Sequence, residues 1–355
     1  MKFEEIFVKR SDLAVSQRVS KPEPPSLEKG QILVEIETIG LSANNVSYAV
    51  AGDFLGYWAH FSRDAEWGCV PVWGFGIVME SHVPEIKEGE RIFGFFPMAS
   101  HAVLTPAPIT ALSFSDDAEH RSGLHPWYKR YYRCANDPAF KTSQVEIQPV
   151  LWALFMTGWM LADQLSDSVD GVYISSASSK TALSLAWSLK HCGSNIKTIG
   201  ITSDKNRDFV EQRQVYSKVV TYEDLQADAS LSRVAYVDIA GNAAVTSAAH
   251  VMLGDKLVDS ILIGSTHRAP SKEALPMPGP TPRFFFIPDV AEERAQQIGF
   301  EAYHQNFAKD WHRFAAWAYW LELIRDNGSE SVENGYLANL AGDLPPQKAM
   351  VYTWK

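Results

Sequence analysis

Val172-Tyr173-Ile174-Ser175-Ser176-Ala177-Ser178-Ser179-Lys180-Thr181-Ala182-Leu183-Ser184-Leu185-Ala186 decides the fold of this chain. Val172 to Ile174 reads as a short buried strand and Ser175 to Ser179 as a tight turn of small residues. Ala182, Leu185, Ala186 and Leu189 then repeat at helical spacing. A strand that enters a helix through small residues makes an anion site: the first N–H groups lack intrahelical acceptors, and the helix dipole is positive there. In a dinucleotide-binding sheet that anion is a pyrophosphate. The glycine fingerprint is replaced, with Ala177-x-Ser179-x-x-Ala182 standing where G-x-G-x-x-G would fall. Small side chains keep the close backbone approach, Ser178, Ser179 and Thr181 add hydroxyl donors, and Lys180 adds charge. The same residues also describe a serine cap on an ordinary helix.

The segments beyond shift the balance. Ile196-Lys197-Thr198-Ile199-Gly200-Ile201 reads as the next strand. An NAD site usually has an Asp or Glu at its end, about 20 residues after the loop, on the ribose 2′-hydroxyl. Thr202 and Ser203 stand there, with Lys205 and Arg207 just beyond. Hydroxyls and two cations suit a 2′-phosphate, so the expected cofactor is NADP(H); a solvated charged loop is the plainer alternative. Lys218 to Val220, Val234 to Ile239 and Lys256 to Gly264 are further strand-like runs separated by helix-like stretches. This alternation predicts an α/β domain with a parallel, doubly wound sheet. Ligands bind such sheets at the carboxyl ends of the strands. Ala240, Gly241, Gly264 and Ser265 therefore join the cofactor candidates, with Thr157, Ser176, Ala177 and Tyr222.

Composition bounds the function. A chain of 355 residues suggests two domains, and 46% hydrophobic with 21% charged residues is ordinary for a globular protein. A net charge of −10 argues against a general binder of nucleic acid or anionic membranes. No apolar run approaches the roughly 18 residues of a membrane helix, and Met1-Lys2-Phe3-Glu4-Glu5 opens without a signal-like hydrophobic region. Cys69, Cys134 and Cys192 are scattered and odd in number. They frame no disulfide set, so a reducing, cytoplasmic location is expected.

Residues 1–150 read as β-rich. Gln31 to Gly40 alternates like a half-buried strand, Val70 to Ser81 is a strand with close-packing glycines, Glu88 to Phe96 is a turn into a strand, and His101 to Pro106 adds another. With Leu41-Ser42-Ala43-Asn44-Asn45, Phe155-Met156-Thr157-Gly158-Trp159, the serine-rich turn and the closing Gln347-Lys348-Ala349-Met350-Val351, this order resembles the medium-chain dehydrogenase/reductase superfamily, on its quinone-oxidoreductase and enoyl-reductase side. The resemblance implies a GroES-like β-rich domain at 1–150, with an insertion at 114–141. A Rossmann domain at 151–287 and a return to the first domain at 288–355 follow. Zinc-dependent members carry a Cys where this chain has Ser42, and Gly-His-Glu where it has Trp73-Gly74-Phe75. Tetrahedral zinc needs thiolate or imidazole ligands, so no zinc is expected. The resemblance also implies that the strand Leu257 to Ile263 can pair across a dimer; a monomer or homodimer is expected, acting on a small molecule.

Residues 114–141 hold Arg121, Trp127, Tyr128, Lys129, Arg130, Tyr131, Tyr132 and Arg133. Such a mixture can grip a carboxylate or a flat ring, or form an amphipathic helix whose aromatics pack on the β-domain. Residues 148–166 read as the joining helix. Phe284 to Ile287 reads as a last sheet strand, Glu292 to Ala302 as a helix, and Asp310 to Arg325 as a helix with Phe314, Trp317, Ala318, Leu321 and Ile324 at core spacing. His304 and His312 lack a third ligand, which favours core or surface roles. The leading expectation is a zinc-independent NADP(H)-dependent oxidoreductase that reduces an activated alkene, quinone or carbonyl. Tyr48, Tyr57 and Ser42 are its candidate proton donors and Asn44 its candidate carbonyl polariser. The alternative is an NADP(H)-binding sensor or accessory protein without turnover, motivated by the altered phosphate loop.

Overall fold

The computed structural model describes residues 2–61, 64–165, 169–264 and 276–354. The chain divides into two compact units, residues 1–153 with 294–355, and residues 154–293.

In the first unit Phe3–Lys9 (β1) and Asp12–Lys21 (β2) form an antiparallel pair. Ile32–Leu41 (β3) leads into the helix Ala43–Val50 (α1). Trp67–Gly68 (β4) pairs with β1. Pro71–Ser81 (β5), Arg91–Pro97 (β6), His101–Leu104 (β7), Pro106–Ile109 (β8) and Ser113–Asp116 (β9) follow. The single turn Pro126–Lys129 (α2) then enters Arg130–Arg133 (β10). The pairing β3–β5–β6–β10–β9–β8 builds one sheet, with β7 on β3. Its core includes Ile36, Ile39, Val78, Ile92, Phe96 and Tyr131, all buried. Each large apolar side chain removed from water contributes roughly 1.5–3 kcal/mol.

The segment 114–141 is therefore not an amphipathic helix. Tyr131 pairs with Phe114, and Tyr132 pairs with Phe93 on one side and Ser113 on the other. Consecutive tyrosines point to opposite faces of a strand. Both are buried because both faces are covered.

Gln148–Leu165 (α3) leads from the first unit into the second. Gly171–Ile174 (β11), Lys180–His191 (α4), Lys197–Thr202 (β12), Arg207–Gln212 (α5), Lys218–Thr221 (β13), Val234–Asp238 (β14), Ala243–Leu253 (α6), Leu257–Leu262 (β15) and Arg283–Phe284 (β16) build a parallel sheet in the order β13-β12-β11-β14-β15-β16. β11 is central, with Val172 beside both Thr198 and Ala235. A strand buried on both faces has no reason to alternate, which is why Val172-Tyr173-Ile174 is continuously apolar. The order reverses between β11 and β14, so the β11–α4 turn and the β14–α6 loop flank the switch point where such sheets take ligands.

One expectation fails here. The last sheet strand is only Arg283–Phe284, because Ile287 already opens the helix Ile287–Ile298 (α7). That strand pairs with β15 at its end alone, Ile261 with Arg283 and Leu262 with Phe284.

The remaining elements return to the first unit. The expected helix at 292–302 is interrupted at Gly299 (φ 84°), and Phe300–Trp317 (α8) follows. The expected helix at 310–325 stops at Trp317. Glu322–Asn327 (β17) instead runs parallel to Lys348–Thr353 (β18), with Gly328–Ala341 (α9) between them. Leu321 and Ile324 satisfy helical spacing, but six consecutive pairings with β18 outweigh that local preference. β18 also pairs with β3 and closes the nine-stranded sheet. No described helix is long and apolar enough to cross a membrane.

Candidate functional site

Two groups of side chains carry chemistry, one in each unit. In the second unit β11 ends in a turn whose backbone enters the left-handed region at Ser176 (φ 50°), a conformation that costs a non-glycine residue. The Ser176 N–H donates to the Tyr222 hydroxyl at 3.1 Å. Ala177 is buried against β12, its N–H on the Ile201 carbonyl at 2.9 Å and its own carbonyl accepting from Tyr216 Oη at 2.9 Å. A Cβ at Gly200 would lie 3.0 Å from that of Ala177, so small residues on both elements set the tight approach.

Ser179 caps the 12-residue α4, its Oγ accepting from Ala182 N at 3.2 Å. Ser178 Oγ accepts from Asn206 Nδ2 at 3.2 Å. A hydroxyl that accepts from its own chain keeps its proton to give, so Ser178 and Ser179 retain donors beside the helix N-terminus. Lys180 and Thr181 occupy the first turn, half-buried, and burial pushes the Lys180 ammonium down to about 8. This donor set fits a pyrophosphate: hydroxyl protons, the N–H groups of a helix first turn and one cation.

The 2′-phosphate candidates are less uniform. Thr202 is buried, Ser203 is half-buried and Lys205 is exposed. Arg207 pairs with Asp224 at 3.1 Å and Asp204 at 3.5 Å, so this cation already has two carboxylate partners. Ala240 and Gly241 lie in the β14–α6 loop, with Gly241 at φ 77°, and Gly264 follows β15. Thr157 is buried within α3. Ser265 lies outside the described residues.

In the first unit α1 brings two catalytic candidates together. Tyr48 Oη receives Asn44 Nδ2 at 2.7 Å and Trp73 Nε1 at 3.1 Å. Trp73 can only donate, so the phenol oxygen accepts there and its own proton remains to be given. Burial pushes Tyr48 up to about 12, against the two N–H donors, which favour the ionised form. Ser42 does not join this group. Its Oγ caps α1 by accepting from Asn44 N at 3.4 Å, and its own N–H goes to Asn45 Oδ1 at 2.9 Å. Tyr57 packs against Tyr48 with ring centroids 4.6 Å apart and ring planes tilted by 44°, and its hydroxyl shares a 2.8 Å bond with that of Tyr128. The sequence offered Tyr128 only as one of the aromatics of 114–141, and not as a partner of Tyr57. Trp73 was legible only as the replacement for a zinc-binding motif.

Behind these rings His60 is buried, and its Nδ1 faces Arg121 Nη2 at 3.2 Å. The guanidinium only donates, so Nδ1 accepts and the ring is neutral. Burial, then the Arg121 charge, push His60 down to about 2. A folded value below the unfolded one means that stability is fully present above about pH 6.5 and is lost as pH falls, by up to about 1.4 kcal/mol per pH unit. Urea midpoints measured between neutral pH and about pH 4 should show this slope, and His60→Asn should flatten it; an unchanged slope would remove His60 as its source.

Among the described residues no three His, Cys, Asp or Glu side chains are placed to hold a metal ion. His304 is buried with Nε2 2.7 Å from Asp137, and His312 Nε2 meets the Pro138 carbonyl at 2.8 Å. Both tie α8 to the segment after β10.

Solved structures share this architecture along their whole length. CurA from Vibrio vulnificus, in a complex with NADPH, matches with a TM-score of 0.64 at 13% identity over 99% of each chain. A mutant enoyl thioester reductase from Candida tropicalis matches at 0.63 and 11% identity over all of both chains. The quinone oxidoreductase from Coxiella burnetii matches at 0.55 and 14% identity, again over both chains entirely. At such identity the likeness shows the fold, which is that of the medium-chain dehydrogenases/reductases. No curated protein matches the sequence. A family model does, over residues 39–345, and the chain thereby belongs to the family described as protein of unknown function (DUF2855).

Proposed function

We propose that this chain is a zinc-independent, NADP(H)-dependent oxidoreductase that reduces an activated alkene, quinone or carbonyl in a small molecule. The carrying observation is the β11–α4 turn. At the switch point of a six-stranded sheet, a strained Ser176, two hydroxyls with protons to give and a depressed Lys180 converge on a helix N-terminus. The neighbours solved with NADPH or NADP support the same reading.

The bound cofactor supplies a hydride to the substrate. The chain's own groups do the rest. Ser178, Ser179 and Lys180 would hold the pyrophosphate, and Lys205 and Arg207 would meet the 2′-phosphate. Tyr48 gives its proton to the oxyanion or carbanion left by hydride addition, while Asn44 and Trp73 stabilise the phenolate that remains.

A titration of NADPH and NADH followed by tryptophan fluorescence tests the cofactor. Lys205→Ala/Arg207→Ala is expected to weaken NADPH by roughly 10–100-fold and leave NADH unchanged. The lower end applies because Arg207 must leave Asp204 and Asp224 to reach a phosphate. An equal loss for both nucleotides would remove the 2′-phosphate assignment, and no binding of either would end the reductase reading.

A further inference from the structure

One carboxylate holds together the two loops that flank the switch point. Asp238 ends β14 and is buried. Its Oδ1 accepts from Ser175 Oγ at 3.0 Å, Ala240 N at 3.1 Å and Gly241 N at 2.9 Å, and its Oδ2 accepts from Thr246 Oγ1 at 2.8 Å. Ser175 Oγ in turn accepts from Ile239 N at 3.0 Å. Ser175 directly precedes the left-handed Ser176, so a single side-chain pair joins the start of the β11–α4 turn to the start of the β14–α6 loop. Gly264 closes the third side, where a Cβ would stand 2.1 Å from the Ile239 carbonyl oxygen. Two strand ends thus meet at one acidic group, and a third passes close beside Ile239.

We propose that Ser175 and Asp238 are positioning residues for the dinucleotide. The inference rests on the NADP(H) reading above and names the device that shapes its site. Four donors from the chain occupy the Asp238 carboxylate, so the carboxylate acts through what it holds. It fixes the Gly241 turn and, through Ser175, the entry to Ser176. Hydrogen bonds to an ionised carboxylate are roughly twice as strong as neutral ones, and a single bond can therefore transmit the loop's geometry to the phosphate turn.

Ser175→Ala removes the link and leaves Asp238 with its backbone donors and Thr246. NADPH is expected to bind about tenfold more weakly to Ser175→Ala, with the thermal midpoint close to that of the wild type. Asp238→Asn, which keeps an acceptor for Ser175 and the two N–H groups, should bind within about threefold of the wild type, whereas Asp238→Ala should lose more than Ser175→Ala. Should Asp238→Ala fail to fold, Ser175→Ala and Asp238→Asn decide the matter. Wild-type affinity in Ser175→Ala overturns the positioning role while the cofactor reading stands. No NADPH binding by the wild type overturns both.

Discussion

Tyr48→Phe is expected to lower kcat/KM for NADPH-dependent reduction by about 10²–10³-fold and to leave NADPH affinity unchanged. The substitution deletes one oxygen and keeps the ring, which packs 4.6 Å from Tyr57 and 5.2 Å from Phe95, so the surroundings are preserved. What disappears is the one phenol of the group that receives two N–H donors, from Asn44 and Trp73. Those donors cost nothing while Tyr48 is neutral and strengthen as it becomes a phenolate, which is how a buried weak acid gives up a proton. Because burial holds Tyr48 up at about 12, the proton stays bound through neutral and mildly basic pH. The rate should therefore show no tyrosine-dependent fall until the pH approaches that value, and a fall near pH 10 would point to a less buried group. Turnover by Tyr48→Phe within about twofold of the wild type would end its assignment as proton donor.

How much of this was legible in the sequence follows from how local each feature is. The stretch 172–186 announced the central strand, the turn and α4, because burial on both faces, a serine cap and helical spacing are written within fifteen residues. Pairing between distant segments is not written locally. Leu321 to Arg325 carries helical spacing and no Gly or Pro to stop it, yet it becomes a strand because β18, over twenty residues later, offers a parallel edge. Arg130 to Arg133 likewise becomes a strand between β6 and β9, although its composition suits an amphipathic helix. Within the site, Tyr48 and Asn44 were legible from their place on α1, four residues apart. Trp73, twenty-five residues further along the chain, reaches Tyr48 only because β5 passes that helix. Ser42, a candidate by analogy of position, caps α1 by accepting from Asn44 N. Asp238 looked like the end of a strand; the convergence of Ser175 and Thr246 on it exists only after folding.

The largest loss of stability is expected at Asp116→Ala, about 3–5 kcal/mol. Arg121 and Asp116 form a 2.7 Å ion pair with side chains 0% and 2% exposed. Both terminal nitrogens of the cation are shared between two acceptors, for Arg121 also donates to Tyr131 Oη at 3.2 Å, His60 Nδ1 at 3.2 Å and the Tyr128 carbonyl at 3.0 Å, while its Nε makes no hydrogen bond. Asp116 in turn accepts from Thr105 N at 2.8 Å and Ala118 N at 3.3 Å. Removing the carboxylate leaves a guanidinium without its counter-charge where water does not reach, and a domain stable by about 5–15 kcal/mol feels that strongly. Replacing both partners by apolar residues, as in Asp116→Leu/Arg121→Met, should cost less than Asp116→Ala, since no charge is then stranded. Urea unfolding of the single and double variants measures both quantities; a single variant within about 1 kcal/mol of the wild type would mean that the pair is hydrated in solution. The double variant separates two roles of Arg121. Its bond to the Tyr128 carbonyl fixes the backbone of a ring whose hydroxyl meets that of Tyr57, and Tyr57 in turn packs against Tyr48. If the pair serves folding alone, the refolded double variant keeps its rate of reduction. If it also sets the place of Tyr48, the rate falls even where stability is restored.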